Sequence, residues 1–139
     1  MRGKFFLDTN VLIYAFDRDH PKKEKIAVDL IDKALFKNSG VISYQVVHEF
    51  INVSMTKFKK PQPAAMAIIV LEQLLDPLCE IYPRMELFKS AVNIKSETGF
   101  HYYDSLIIAS ASEAGCSTLY SEDLQDGYRY HDLTVRNPF

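Results

Sequence analysis

Four short apolar runs stand out along the chain: Lys4-Phe5-Phe6-Leu7, Gly40-Val41-Ile42-Ser43, Cys79-Glu80-Ile81-Tyr82 and Ser117-Thr118-Leu119-Tyr120. Runs this short and this apolar read as buried strands. Between them, apolar residues recur at three- and four-residue intervals over Lys22 to Lys37, Tyr44 to Lys59, Pro63 to Leu75, Arg84 to Thr98 and Tyr102 to Ala114. That spacing predicts helices, and Gly115 supplies a stop signal for the last of them. A fifth strand is predicted at Leu133-Thr134-Val135-Arg136, after the polar, turn-rich stretch from Glu122 to Asp132. Strands alternating with helices of ten or more residues need crossover connections, and crossovers make parallel sheets covered on both faces. The pattern therefore predicts an α/β fold: a three-layer α/β/α sandwich around a mostly parallel sheet of four to five strands.

Composition narrows the class. At 139 residues, with 47% hydrophobic and 24% charged positions, the chain has the makings of one ordinary core and none of the bias of disordered or low-complexity sequence. No repeat or linker divides it. The net charge of −2 gives no field that would draw in nucleic acid from a distance, so a polyanionic partner must be gripped locally. The longest apolar run, Ala64 to Leu71, is too short for a membrane span, and the opening Met1-Arg2-Gly3-Lys4 leads into no signal-peptide pattern. A cytoplasmic protein without membrane contact is expected. Cys79 and Cys116 have neither disulfide-framework nor zinc-site spacing and read as buried small apolar residues.

Most of the eighteen acids have ordinary helix or turn readings, with Asp29 and Glu113 as examples of solvated helix positions. Four others are set apart by their positions. Asp8 follows the strand Phe5-Phe6-Leu7 at its carboxyl end, where Asp8 or Asn10 would also serve as a helix cap. Glu49 lies about two turns into the helix after the second strand, at what could be a partly exposed position. Asp104 opens the apolar helix Ser105-Leu106-Ile107-Ile108-Ala109, where a helix N-terminus favours a carboxylate in any case. Asp123 follows the fourth strand through Ser121 and Glu122 and would suit a turn. As a set they gather near the carboxyl ends of strands, which is where parallel sheets form ligand crevices. Four carboxylates about 5 Å apart would repel by roughly 3 kcal/mol per pair at an effective dielectric of about 20, or roughly 20 kcal/mol over six pairs. Such a cluster calls for a cation, and all-oxygen ligation favours Mg²⁺ or Mn²⁺ over zinc.

At these residues the sequence resembles the PIN-domain nucleases, and among them the VapC-type toxins of toxin–antitoxin pairs. The carrying segments are Phe6-Leu7-Asp8-Thr9-Asn10-Val11-Leu12-Ile13-Tyr14, Val47-His48-Glu49-Phe50, Tyr103-Asp104-Ser105-Leu106-Ile107-Ile108-Ala109-Ser110-Ala111 and Leu119-Tyr120-Ser121-Glu122-Asp123-Leu124. Their order and spacing span nearly the whole chain. The resemblance implies a single PIN-like nuclease domain over residues 1–139, a sheet of order 3-2-1-4-5, and Mg²⁺- or Mn²⁺-dependent cleavage of RNA phosphodiesters by a metal-activated water. It implies an acidic quartet of Asp8, Glu49, Asp104 and Asp123, serving both as metal ligands and as the catalytic set. Asn10 and Ser121 would be supporting polar groups, with Asp126 as an outer acid. Ser121 stands where many relatives carry Thr, which keeps the hydroxyl.

Asp8 and Asp104 are expected as direct ligands, with Glu49 and Asp123 at a second ion or at metal-bound waters. Lys22, Lys23 and Lys25 and the run Lys57-Phe58-Lys59-Lys60 are candidates to grip the RNA, and Tyr44, Tyr102 and Tyr103 could stack on bases. The resemblance also implies a possible antitoxin partner and a homodimer, for which the continuously apolar helix Pro63 to Leu75 is the candidate surface. Three rivals remain open: metal-free RNA cleavage through His48 and His101, an aspartyl phosphotransferase, whose usual Asp-x-Asp opening is broken by Asn10, and a non-catalytic RNA- or protein-binding module on the same fold.

Overall fold

The computed structural model describes residues 3–139. Its centre is β1 (Phe5–Leu7), which pairs in parallel with β2 (Gly40–Ser43) on one side and β4 (Thr118–Tyr120) on the other. The six-stranded sheet has the order β3-β2-β1-β4-β6-β5, with β3 (Cys79–Ile81), β5 (Arg129–Tyr130) and β6 (Leu133–Arg136) towards its edges. All pairings are parallel except β5 with β6. Every residue of β1 and β2 is buried. Successive strand residues face opposite sides, so burial at every position means that helices cover both faces, as the sequence pattern predicts.

The helices are α1 (Thr9–Tyr14), α2 (Pro21–Phe36), α3 (Tyr44–Thr56), α4 (Ala64–Val70), α5 (Asp76–Leu78), α6 (Met85–Thr98) and α7 (Tyr102–Glu113). Between α4 and α5 the helix continues through a π-helical turn over Leu71–Leu75, in which the Asp76 N–H reaches back to the Leu71 carbonyl. Pro77 has no N–H to donate one turn back and its ring crowds that turn, which accounts for the widened ladder just before it. Gly40 is required by close approach: a Cβ there would overlap that of Ala34, so β2 and α2 meet at a contact only glycine allows.

Two elements escape the sequence pattern. The six-residue α1 and the two-residue β5 are too short to show a period, and β5 adds an antiparallel edge strand within the stretch predicted as turns. The predicted order 3-2-1-4-5 is thereby kept, with Leu133–Arg136 as the sixth strand in sequence and β5 beyond it. The cysteines divide. Cys116 is buried, and burial pushes its thiol up to about 12, whereas Cys79 is only half-buried because it starts an edge strand. Among the described residues, no helix is long and apolar enough to cross a membrane.

Candidate active site

The chain runs from β1 to β2 to β3 in one direction and then returns to place β4 on the other side of β1. The switch point therefore falls between β1 and β4, and a crevice opens outside their carboxyl ends. Asp8 and Ser121 are the next residues after those two strands. The Asp8 N–H donates to the Tyr120 carbonyl at 3.0 Å and the Ser121 N–H to Arg136 at 3.1 Å, so both leave the sheet still held by its ladders.

Asp8 caps α1 and is only 7% exposed. Its Oδ1 accepts the Thr9 N–H at 2.7 Å, and its Oδ2 accepts the Ser121 hydroxyl at 2.7 Å. Burial pushes its carboxyl up to about 6, against those two hydrogen bonds and with help from the Glu49 and Asp123 charges. Ser121 is wholly buried, and its Oγ in turn accepts the N–H groups of Asp123 at 3.2 Å and Leu124 at 3.3 Å, which shapes the turn carrying Asp123. Asn10 ties the two strand ends together. Its Nδ2 lies 3.2 Å from Asp123 Oδ2, 3.3 Å from Ser121 Oγ and 3.5 Å from Asp8 Oδ2, while its Oδ1 accepts the Glu122 N–H at 3.1 Å. A neutral donor between Asp8 and Asp123 eases the repulsion that a third acid there would worsen.

Glu49 comes from α3 and Asp104 from the first turn of α7. The Thr9 hydroxyl donates to Glu49 Oε1 at 2.5 Å, and the Gln45 amide, one turn earlier on α3, donates to Glu49 Oε2 at 3.2 Å and to the Tyr103 carbonyl at 3.1 Å. Asp104 accepts no hydrogen bond among the described residues, and desolvation raises its carboxyl, with Asp123 and Glu49 adding to the effect and His101 opposing it. The four acids line one cavity of about 370 Å³ together with Thr9, Asn10 and Gln45. The charges of Glu49 and Asp123 add to the upward push on both Asp8 and Asp104.

Among the described residues, no group of three His, Cys, Asp or Glu side chains is arranged to hold one ion directly. The all-oxygen lining still fits a hard cation that keeps most of its water shell, because Mg²⁺ commonly takes only one or two carboxylates from the protein. Asp104, with its oxygens unengaged, and the fixed Asp8 fit that part.

Thr9 and Gln45, both needed to hold Glu49, are not singled out by the sequence pattern, although the four-residue spacing of Gln45 and Glu49 places them on one helix face. A longer network leaves no trace in the sequence: Tyr14 donates to Glu122 at 2.7 Å, and Lys23 binds Glu122 at 2.5 Å and Tyr14 at 3.3 Å, bracing the turn that carries Asp123. Asp126 does not line the cleft; it accepts the Asn137 N–H at 2.8 Å. Glu113 is not simply solvated, since it pairs with Arg84. His48 lines a different cavity, beside Tyr44 and Leu71, and so does not face the acids.

Replacing Gln45 by Leu removes one donor from Glu49 and the link from α3 to α7. The expected result is a weaker hold on Mg²⁺, by roughly 10-fold or more, with stability changed by only about 1 kcal/mol, because loss of the two amide hydrogen bonds is offset by removal of the buried, unpartnered Gln45 Oε1. Calorimetric titration with Mg²⁺ and a denaturant melt read the two effects separately.

Fold and site together define an open, mostly parallel α/β protein with a carboxylate-lined crevice at its switch point. The PIN domain family model matches residues 5–126, and the chain belongs to that family. In fold it is similar to a toxin–antitoxin complex from Klebsiella pneumoniae, with a TM-score of 0.67 at 16% identity over 96% of this chain and 97% of that one. It is also similar to VapBC2 from Rickettsia felis, solved bound to a DNA fragment from its promoter, with a TM-score of 0.64 at 21% identity over 96% and 97%. FitAcB from Neisseria gonorrhoeae matches with a TM-score of 0.64 at 18% identity, again over 96% and 97%. No curated protein matches the chain by sequence.

Proposed function

We propose that this protein is an Mg²⁺- or Mn²⁺-dependent endoribonuclease, acting in the cytoplasm as the toxin of a VapC-type toxin–antitoxin pair. One observation carries the reading: acids from four separate segments, Asp8, Glu49, Asp104 and Asp123, line a single cleft at the switch point of the sheet. A divalent ion bound there would acidify a water and neutralise charge on the transferred phosphoryl group. The chain's own part is to hold oxygens in place. Asp8 is fixed by Ser121 and Thr9, and Asp104 presents free oxygens, so these two would touch the ion. Glu49 and Asp123, whose charges act on both Asp8 and Asp104, would bind a second ion or orient waters around the first.

The rival chemistries are poorly served by the same geometry. An aspartyl phosphotransferase usually carries a second acid two residues after its nucleophile, and here that position is Asn10, whose amide reaches Asp8, Ser121 and Asp123. A histidine acid–base pair needs two imidazoles at the cleft, and His48 lines another cavity. Incubation of the protein with an RNA pool tests the reading: cleavage is expected with Mg²⁺ or Mn²⁺ and none with EDTA, and a binding module would cut in neither.

An antitoxin partner is supported by the toxin–antitoxin complexes among the similar folds. A homodimer is supported by α4, whose Met66, Ile68 and Ile69 are about half exposed, the middle one at 54%. Sedimentation is expected to give a dimer, and Ile68→Glu to shift it to the monomer. A parent that is monomeric at every concentration would contradict the dimer.

A further inference from the structure

Two lysine groups could hold a polyanion, and the structure treats them differently. On α2, Lys23 is taken up by Glu122 and Tyr14 and Lys25 by Asp29, while Lys22, with no acid partner among the described residues, lines neither the acid cleft nor the cavity beside it. At the end of α3, Lys57 stands on the wall of the acid cleft itself. Gln45, Glu49, Val53 and Lys57 follow one another at four-residue intervals, so a single stripe of α3 leads from the acids to the lysine over about 12 Å. Lys57, Ile13 and Val53 also line a second cavity, of about 550 Å³, that continues past Phe58 to Lys59 and Lys60. Sharing these three residues, the two cavities adjoin along α3 and together present a groove with acids at one end and lysines at the other.

The acids at the basic end already have partners of their own. Asp19 pairs with Lys59 at 2.5 Å and Asp17 with His20 at 2.8 Å. Lys57 and Lys60 are exposed and pair with no acid among the described residues. Phe16, 38% exposed, leans on Phe50 and Phe58 and leaves part of its ring open to the groove. Unclaimed cations beside an aromatic surface suit a single strand, whose phosphates need charge and whose bases need a stacking face.

We infer that this groove is the track of the RNA strand next to the cut, with Lys57 and Lys60 as its phosphate-binding side chains. The inference rests on the ribonuclease reading and adds the direction in which the substrate leaves the acids. With a net charge of −2 on the whole chain, the protein can hold an anion only where cations are gathered and unclaimed. The acidic end alone would repel the strand, and the basic end offsets that repulsion two turns of helix away.

The test is fluorescence anisotropy of a labelled single-stranded RNA oligonucleotide of mixed sequence. It is run on the full chain in Ca²⁺ between about 50 and about 200 mM salt, with integrity of the RNA checked on a gel. Lys57→Gln and Lys60→Gln should each lower the salt slope by about 0.7 and the affinity about fivefold at about 0.1 M salt, and together about 25-fold. Lys22→Gln and Lys25→Gln should leave both unchanged, and all variants should keep the parent's melting temperature. Parent-like binding by the Lys57 and Lys60 variants, or losses confined to Lys22 and Lys25, would overturn the inference; the first outcome would leave the groove to a protein segment. The ribonuclease reading is tested separately, by cleavage of the same RNA by the parent in Mg²⁺. If the parent cuts nothing while the Lys57 and Lys60 variants lose affinity, that reading falls and the groove stands. If the parent cuts and the variants bind normally, the reverse holds.

Discussion

Asp104→Asn is expected to abolish cleavage and at the same time to raise the melting temperature in EDTA. A lost ion contact of several kcal/mol in the transition state corresponds to about 10³-fold in rate. In the metal-free protein the same carboxylate is a liability. It is partly desolvated, it faces both Glu49 and Asp123, and no hydrogen bond compensates it among the described residues. The amide keeps its shape and deletes the charge, so a higher melting temperature is expected. Mg²⁺ at a hundredfold excess over its Kd should stabilise the parent by about 2.7 kcal/mol and the variant by less. Asp29→Asn is the suitable control, as an exposed residue of α2 whose one partner is Lys25. Glu113 is not, because its pairing with Arg84 ties the end of α7 to the residue before α6. A variant that melts lower in EDTA and responds to Mg²⁺ like the parent would make Asp104 a helix-terminus residue and no more.

The metal-free protein should lose stability as pH rises through the range where Asp8 ionises. Its carboxyl is raised in the folded state to about 6 from a reference of 3.8. The folded state therefore holds the proton more tightly than the unfolded chain. The stabilisation is fully present below about pH 4 and is lost as pH climbs through 6, to a total of about 3 kcal/mol. Glu122 works in the opposite sense. Lys23 and Tyr14 hold its carboxyl below the usual range, so its contribution is present at neutral pH and fades in acid. Asp8→Asn separates the two: the stability difference between variant and parent in EDTA should grow by about 2.4 kcal/mol from pH 4 to pH 7. Denaturant melts at each pH measure it. A difference that stays flat would mean that Asp8 ionises in the folded protein as readily as in the unfolded chain.

The parts of the fold and site that are legible in the sequence are those built from local pattern. Phe5-Phe6-Leu7 followed by Asp8 announces a buried strand and an acid at its exit, and the structure keeps Asp8 at that exit. Asp104 and Ser121 are placed by the elements next to them in the same way. Glu49 sits mid-helix, where its place two turns after the second strand sets it apart but leaves an ordinary, partly exposed helix position equally open. What is not legible depends on contacts between distant segments. Thr9 meets Glu49 across 40 positions, and Tyr14 meets Glu122 across 108, with no periodicity to betray either pair. The lysine runs look alike in sequence. Only the packing of α1, α2 and the turn after β4 engages Lys23, while Lys57 is left on the cleft wall. Short elements are lost for a different reason, since α1 and β5 are smaller than the windows in which helical or strand periods can be recognised.

The ends of the RNA fragments decide most directly whether the acid cleft does the chemistry. A water nucleophile positioned by Asp8, Glu49, Asp104 and Asp123 leaves a 5′-phosphate and a 3′-hydroxyl, and it tolerates a single 2′-deoxy substitution at the cut site. That result is expected in Mg²⁺ or Mn²⁺, with no product in EDTA. Fragments ending in a 2′,3′-cyclic phosphate, formed undiminished in EDTA and blocked by the 2′-deoxy substitution, would show the RNA's own 2′-hydroxyl attacking and would contradict a metal-dependent site.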